Sequence, residues 1–294
     1  MIKKLFILFS LTSCLNLSYA QIDRVVLVVN NDAVTEYDVE RYKKNLLFLV
    51  PEKEREKASV QLEQNLMTLL QDYTLMLQYA KKANIEPTAE QVNQFNTLNL
   101  KKANIDPAQL NQKLNEFGIS PEDFNQYVKN TIAIYLLKSQ IVASQLQLTP
   151  QKVKRYRYQR QFDESLFTFN DYLIPFDTKG AHTKAEQLQK GVEKNLSIPE
   201  QVKPYYSKTV FEETKHDNIP DIFLKAFKNK QPPLVSKVIS ADNGYHVLWL
   251  KAVKAPPLMD EKQAMNTLYE EQSEKILKKW LTEVKEASYS HVFE

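Results

Sequence analysis

The side chains of this chain best suited to acid–base or metal chemistry near neutral pH are its four histidines, His182, His216, His246 and His291. They are scattered, with none of the short spacings that gather imidazoles around an ion, so a metal site is not expected. His246 lies in an apolar run, Gly244 to Leu250, and reads first as a hydrogen-bonded residue on a buried strand. Only four glycines occur, Gly118, Gly180, Gly191 and Gly244. That argues against glycine-rich phosphate loops; no ATP motif is present, and no cofactor is expected. Arg155-Tyr156-Arg157-Tyr158-Gln159-Arg160 interleaves basic and aromatic residues, a pattern that suits RNA. A solvated helix face with its tyrosines turned inward is the simpler reading, and no nucleic-acid partner is expected. Glu52 to Lys57 reads as a solvated, mixed-charge helix start.

These residues need a scaffold, and the chain begins with a leader. Met1-Ile2-Lys3-Lys4 is positive, Leu5 to Leu11 is apolar, and Ser18-Tyr19-Ala20 fits cleavage before Gln21. Residues 1–20 therefore read as a secretory signal, which implies a periplasmic protein. The apolar run is far short of the ~20 residues a membrane-spanning helix needs. A rival reading is a lipoprotein signal, Leu11-Thr12-Ser13-Cys14, with Cys14 lipidated. Removal of the signal takes away Lys3, Lys4 and the sole cysteine, leaving a nearly neutral chain without thiols. Such a chain has no general pull toward polyanions and must be held by its core.

The organising stretch is Ile22 to Val39. Val25 to Val29 is a β-branched run, Asn30-Asn31-Asp32 suits a turn, and Ala33-Val34 suits a short return strand. Thr35 with Asp38 resembles a capping box. A lone hairpin is unstable, and Tyr289 to Phe293 offers the spare strand. The chain is therefore expected to close on itself, Val292 and Phe293 burying against Val26 and Val28. Between these ends come helices. Glu36 to Leu49 stops before Pro51, and Glu52 to Ala83 carries an apolar stripe from Leu66 to Tyr79. That stripe reads as core, although a ligand groove would use the same residues. Thr88 with Gln91, Asp106-Pro107, Ser120-Pro121 and Thr149-Pro150 each open a further helix.

From Leu166 to Val253 the pattern changes. LFTFNDYLI reads as a strand, Thr183 to Lys194 as a helix, and two strand runs close the segment through Asp242-Asn243-Gly244. This is a small α+β insert in a helical chain. The fold class expected is mainly α with that insert. Residues 21–162 would form a helical domain completed by 258–294, with the inserted lobe at 163–255.

The order of VVLVVNNDAVTEYDV, LQDYTLMLQYAKKANI, TAEQV and LTPQKV resembles the N-terminal domain of the SurA family of periplasmic chaperones. The segment from Leu166 to Val253 is similar to a parvulin-type prolyl isomerase domain. The usual family layout has two such domains; this chain has room for one. The resemblance implies a site of polar residues around a substrate proline. His246 matches the last-strand histidine, but Asp171 stands where the first-strand histidine is expected and Val210 where a polar Asp or Cys is expected. Lys208-Thr209 replaces a glycine pair, and Glu212-Glu213 the Gly-Trp that follows. Catalysis is therefore not expected: His246 is the one matching position, and no catalytic or peptide-binding residue is assigned. The implied function is an ATP-independent periplasmic chaperone for unfolded outer-membrane β-barrel precursors, with the outer-membrane assembly machinery as a further implied partner. The alternative is an active periplasmic peptidyl-prolyl isomerase.

Overall fold

A computed structural model describes residues 23–195 and 198–293. The leader and Cys14 lie outside the described residues. The chain divides into two compact units, Met1–Gln145 with Ile276–Glu294, and Leu146–Lys275.

In the first unit, strands β1 (Val25–Val29) and β2 (Asp32–Thr35) form the expected hairpin. Asn30 takes φ 53 in its turn, a left-handed conformation that asparagine tolerates better than most residues. Thr35 caps helix α1 (Glu36–Phe48), and the capping box with Asp38 is complete. Helices α2 (Arg55–Lys82), α3 (Ala89–Lys102), α4 (Leu110–Glu116) and α5 (Pro121–Gln145) follow. Thr88 and Gln91 form a second capping box ahead of α3. Leu66, Leu70 and Leu75 of α2 are buried with Leu27, Val29 and Val34 of the hairpin, so the α2 stripe is mainly core. A second core gathers Phe48, Leu100, Phe124 and Val128.

The chain ends meet as expected. Strand β8 (Ser290–Val292) pairs antiparallel with β1, giving the sheet order β2-β1-β8. Asn30 fastens the closure. Its backbone N–H donates to the Tyr289 carbonyl at 2.8 Å, and its side-chain oxygen accepts from the Tyr289 N–H at 3.0 Å. Its side-chain amide also donates to Gln78 of α2. The expected burial of Val292 and Phe293 does not occur: they remain 50% and 45% exposed. An edge strand is held by backbone pairing on one side, and that pairing does not require its side chains to be covered.

The second unit opens with α6 (Pro150–Asp163), capped by Thr149. Its sheet comprises β3 (Leu166–Pro175), β4 (Ser207–Lys215), β5 (Leu234–Val235), β6 (Ile239–Ala241) and β7 (Gly244–Lys254). The order is β4-β3-β7-β5, with β6 also on β7, and every pairing is antiparallel. Helix α7 (Ala181–Asn195) covers one face through Ala185, Leu188 and Val192. Helix α8 (Asp221–Phe227) covers the other through Phe223, Leu224 and Phe227.

Three features differ from the sequence reading. The run from Leu234 to Ser240 is two strands, because the Ser236 hydroxyl accepts the Leu248 N–H at 2.9 Å and donates to the Lys237 carbonyl. β4 was not legible as a strand, being polar and at an edge. The helix α9 (Glu261–Glu286) starts in the second unit and ends in the first. The sequence reading groups 146–162 and 258–275 with the helical domain. In the structure Val153 of α6 buries against Ala264 and Leu268 of α9, and both segments fall in the unit that holds the lobe. Nonetheless the described chain is mainly helical with a small α+β lobe.

Candidate functional site

The lobe's polar centre is set by strand register. Leu173 pairs with His246 and Asp171 with Leu248, so Asp171 and His246 are diagonal neighbours on one sheet face. That face also carries Phe167, Phe169, Leu248 and Leu250 and is covered by α8. The Asp171 carboxylate accepts from His246 Nδ1, its two oxygens lying 2.9 and 3.0 Å away. Nε2 lies 2.8 Å from the side-chain oxygen of Asn243, in the β6–β7 turn. Both ring nitrogens are thus engaged within the lobe. His246 is 4% and Asp171 7% exposed, and the Phe223 ring sits 5.0 Å from the imidazole.

Turn geometry holds this arrangement. Gly244 has φ 153, and a Cβ there would lie 2.4 Å from the Ile174 carbonyl oxygen. Only glycine lets the start of β7 approach β3 so closely.

Val210 does not join the pair. It is opposite Asn170 on β4, and residues opposite one another in a ladder share a face, here the face away from Asp171. The residue opposite Asp171 is Thr209. Val210 is 48% exposed. Glu213, within the segment that replaces Gly-Trp, takes φ 38, and its N–H donates to the Thr168 hydroxyl at 3.3 Å. The β3–β4 register shifts between Phe167 and Phe169, so the strand keeps an irregular shape there without a glycine. Sequence reasoning missed Asn243, Phe223 and Thr209. Asn243 could have been noticed three residues before His246; the other two depend on long-range packing.

The remaining histidines stay apart. His182 lies 3.8 Å from Glu186, His216 lies 3.3 Å from Asp163, and His291 is on β8. Among the described residues no group of three or more His, Cys, Asp or Glu could hold a metal. No helix among them is long and apolar enough to cross a membrane.

Two concavities of the first unit stand beside its hairpin and its tyrosines. A cleft of about 690 Å³ is lined by Val26, Tyr37, Val39 and Met67, with Asp23 and Glu40 among its polar residues. A smaller cavity of about 260 Å³ is lined by Arg41, Asn45, Tyr42, Tyr73 and Tyr127. Burial pushes the Tyr73 hydroxyl up to about 12, with Tyr42 adding to the effect. Burial also raises Tyr127 and Tyr42, the latter further through Asp72. Arg41 bonds Asp38 at 2.8 Å and Asp123 at 3.2 Å.

The described chain combines a helical unit, whose hairpin is extended by β8, with a small α+β lobe in the second unit. Residues 1–138 match the family model of the SurA-like N-terminal domain. The Chaperone SurA of Methylobacillus flagellatus is 21% identical over 288 residues, covering 90% of this chain and 65% of its own. That of Legionella pneumophila subsp. pneumophila is 24% identical over 260 residues, covering 79% and 58%. That of Pseudomonas fluorescens is 25% identical over 193 residues, covering 64% and 44%. The chain is thus similar to SurA chaperones, and it spans less than two thirds of the length of these curated relatives. Among solved structures, a SurA-like chaperone of Campylobacter jejuni is 12% identical, with 92% of this chain and 100% of that chain covered and a TM-score of 0.42. The foldase PrsA of Lactococcus lactis is 17% identical, with 92% and 95% covered and a TM-score of 0.28.

Proposed function

We propose that this protein is an ATP-independent periplasmic chaperone that holds unfolded outer-membrane β-barrel precursors, and that its parvulin-like lobe has no isomerase activity. The observation that carries this reading is the polar centre of the lobe. X–Pro rotation faces a barrier of ~18–20 kcal/mol, and lowering it needs polar groups presented to the substrate. Here Asp171 and Asn243 take up both nitrogens of His246, and Val210 is on the other sheet face. The match of residues 1–138 to the SurA-like N-terminal domain, and the likeness to relatives named as chaperones, support the holding role.

Barrel precursors alternate apolar and polar residues and aggregate through exposed strands. A holder must bind many sequences weakly. The cleft beside Tyr37, Val39 and Met67 suits that, since methionine and aromatic side chains repack around varied partners. The edge strand β8, with Tyr289, Val292 and Phe293 exposed, offers strand addition as a second mode. With no nucleotide to drive release, clients leave by handover, the outer-membrane assembly machinery being the receiving partner. A secretory signal at residues 1–20 would deliver the protein to the periplasm.

The test pairs two assays on the full chain. Dilution of a denatured barrel precursor should aggregate less in its presence, and a proline-limited refolding reaction should not accelerate. Undiminished aggregation would refute the holding role. Acceleration that is lost in His246→Ala would establish the isomerase reading instead.

A further inference from the structure

The Arg-Tyr run of α6 is divided by the helix into two faces with different fates. On one face Tyr156 donates to Glu271 at 2.9 Å, Arg157 donates to the Met259 carbonyl at 2.7 Å, and Val153 is buried. On the other, residues at helical spacing line a cleft of about 480 Å³ with Lys228, which follows α8. The cleft brings together three cations, Lys154, Arg155 and Lys228, and two aromatic rings, Tyr158 and Phe162. No acidic residue is among its described lining. Lys154 and Arg155 make no ion pair among the described residues, and Lys228 bonds only the neutral Gln159, at 2.8 Å. The nearby acids are engaged elsewhere: Asp163 accepts from Gln159 at 2.7 Å and meets His216, and Glu164 pairs with Arg160.

We propose that this cleft is a docking subsite for an extended polypeptide segment that carries a carboxylate beside an aromatic side chain. The inference rests on the reading that the protein holds unfolded chains, and it specifies which segments are held here. Charge complementarity selects an anionic group, and a guanidinium matches a carboxylate with two parallel hydrogen bonds. Tyr158, 52% exposed, offers a flat apolar surface with a polar tip, suited to an aromatic neighbour. Three cations in a cleft of this size make a short patch, whereas a nucleic-acid backbone calls for a longer basic track.

The experiment measures fluorescence anisotropy of short labelled peptides with the full chain. One peptide repeats Asp-Tyr, one Asn-Tyr and one Lys-Tyr. The Asp-Tyr peptide should bind roughly fivefold more tightly than Asn-Tyr, with Lys-Tyr weakest, and the preference should fade with added salt. Arg155→Glu and Lys228→Glu should each abolish the preference. Lys190→Glu, the same charge change at an exposed position of α7 outside the cleft, should leave it intact, and Tyr158→Ala should weaken both Tyr-containing neutral and acidic peptides. Equal binding of all three peptides, or a preference that survives Arg155→Glu, would overturn the proposal. Phosphatidylglycerol vesicles that displace the peptide and depend on Arg155 and Lys228 would reassign the cleft to a lipid headgroup, also overturning it. If aggregation of a barrel precursor is still suppressed when the peptide preference is absent, only this subsite fails. If suppression and all peptide binding are absent together, the holding role fails and the subsite with it.

Discussion

Breaking the Asp171–His246 pair should unfold the lobe more easily and show that its polar centre is a structural unit. The side chains are 10% and 5% exposed, and the carboxylate contacts the imidazole through both oxygens. Asp171→Ala strands Nδ1 inside an apolar face lined by Phe169 and Leu248. Removing one partner of a buried hydrogen-bonded pair costs about 3–5 kcal/mol. Asn243 still holds Nε2, so about 3 kcal/mol is expected here. His246→Ala should cost about the same, from a stranded carboxylate and the lost contact with Phe223. Each single change therefore strands a partner, and the double change removes that penalty. The double variant should lose about 4 kcal/mol, a coupling of roughly 2 kcal/mol. The two tryptophans make the measurement specific, since Trp249 is on β7 and Trp280 in the first unit. In a Trp280→Phe background, urea unfolding followed by fluorescence reports the lobe, and each single variant should lower the midpoint by about 2 M. Single losses under about 1 kcal/mol that simply add would refute the view that the pair is a closed unit.

Gly244→Ala should destabilise the lobe by about 1–3 kcal/mol in the same assay, because its Cβ has no room beside the Ile174 carbonyl; a neutral result would show that β7 can shift away from β3. The first unit should lose stability as pH rises from 10 toward 12. The unfolded chain releases the Tyr73 proton near 10 while the native state keeps it to about 12, so stability held below pH 10 falls by up to about 2 kcal/mol across that window. Tyr127 and Tyr42 act in the same direction, and ultraviolet titration should show these phenols ionising only as the unit unfolds; free titration near 10 in the native state would contradict their burial. Truncation after Ala287 should remove the Asn30–Tyr289 hydrogen bonds and expose the β1 edge, lowering the melting temperature and promoting aggregation; unchanged melting would mean that β8 contributes nothing.

The sequence by itself determined the local elements and their order. Thr35-Asp38 and Thr88-Gln91 are short-range devices, and each closes its hydrogen bonds where the spacing predicts. The Asn30-Asn31 turn is equally local, and the need of a two-stranded hairpin for a partner pointed to the last strand. His246 as a buried, hydrogen-bonded strand residue was also legible from its apolar run. Tertiary structure decided whatever depends on register and on which face is covered. Asp171 meets His246 only because β3 and β7 pair as they do. Val210 is separated from them because alternate strand residues point to opposite faces. Asn243 joins through the close approach at Gly244. Backbone pairing of β8 without side-chain burial could not be read from Val292 and Phe293, whose apolar character is the same on either side of a sheet. The Arg-Tyr run makes the same point: composition lists its cations and rings, but helix rotation against α9 decides which are satisfied and which are left facing the cleft.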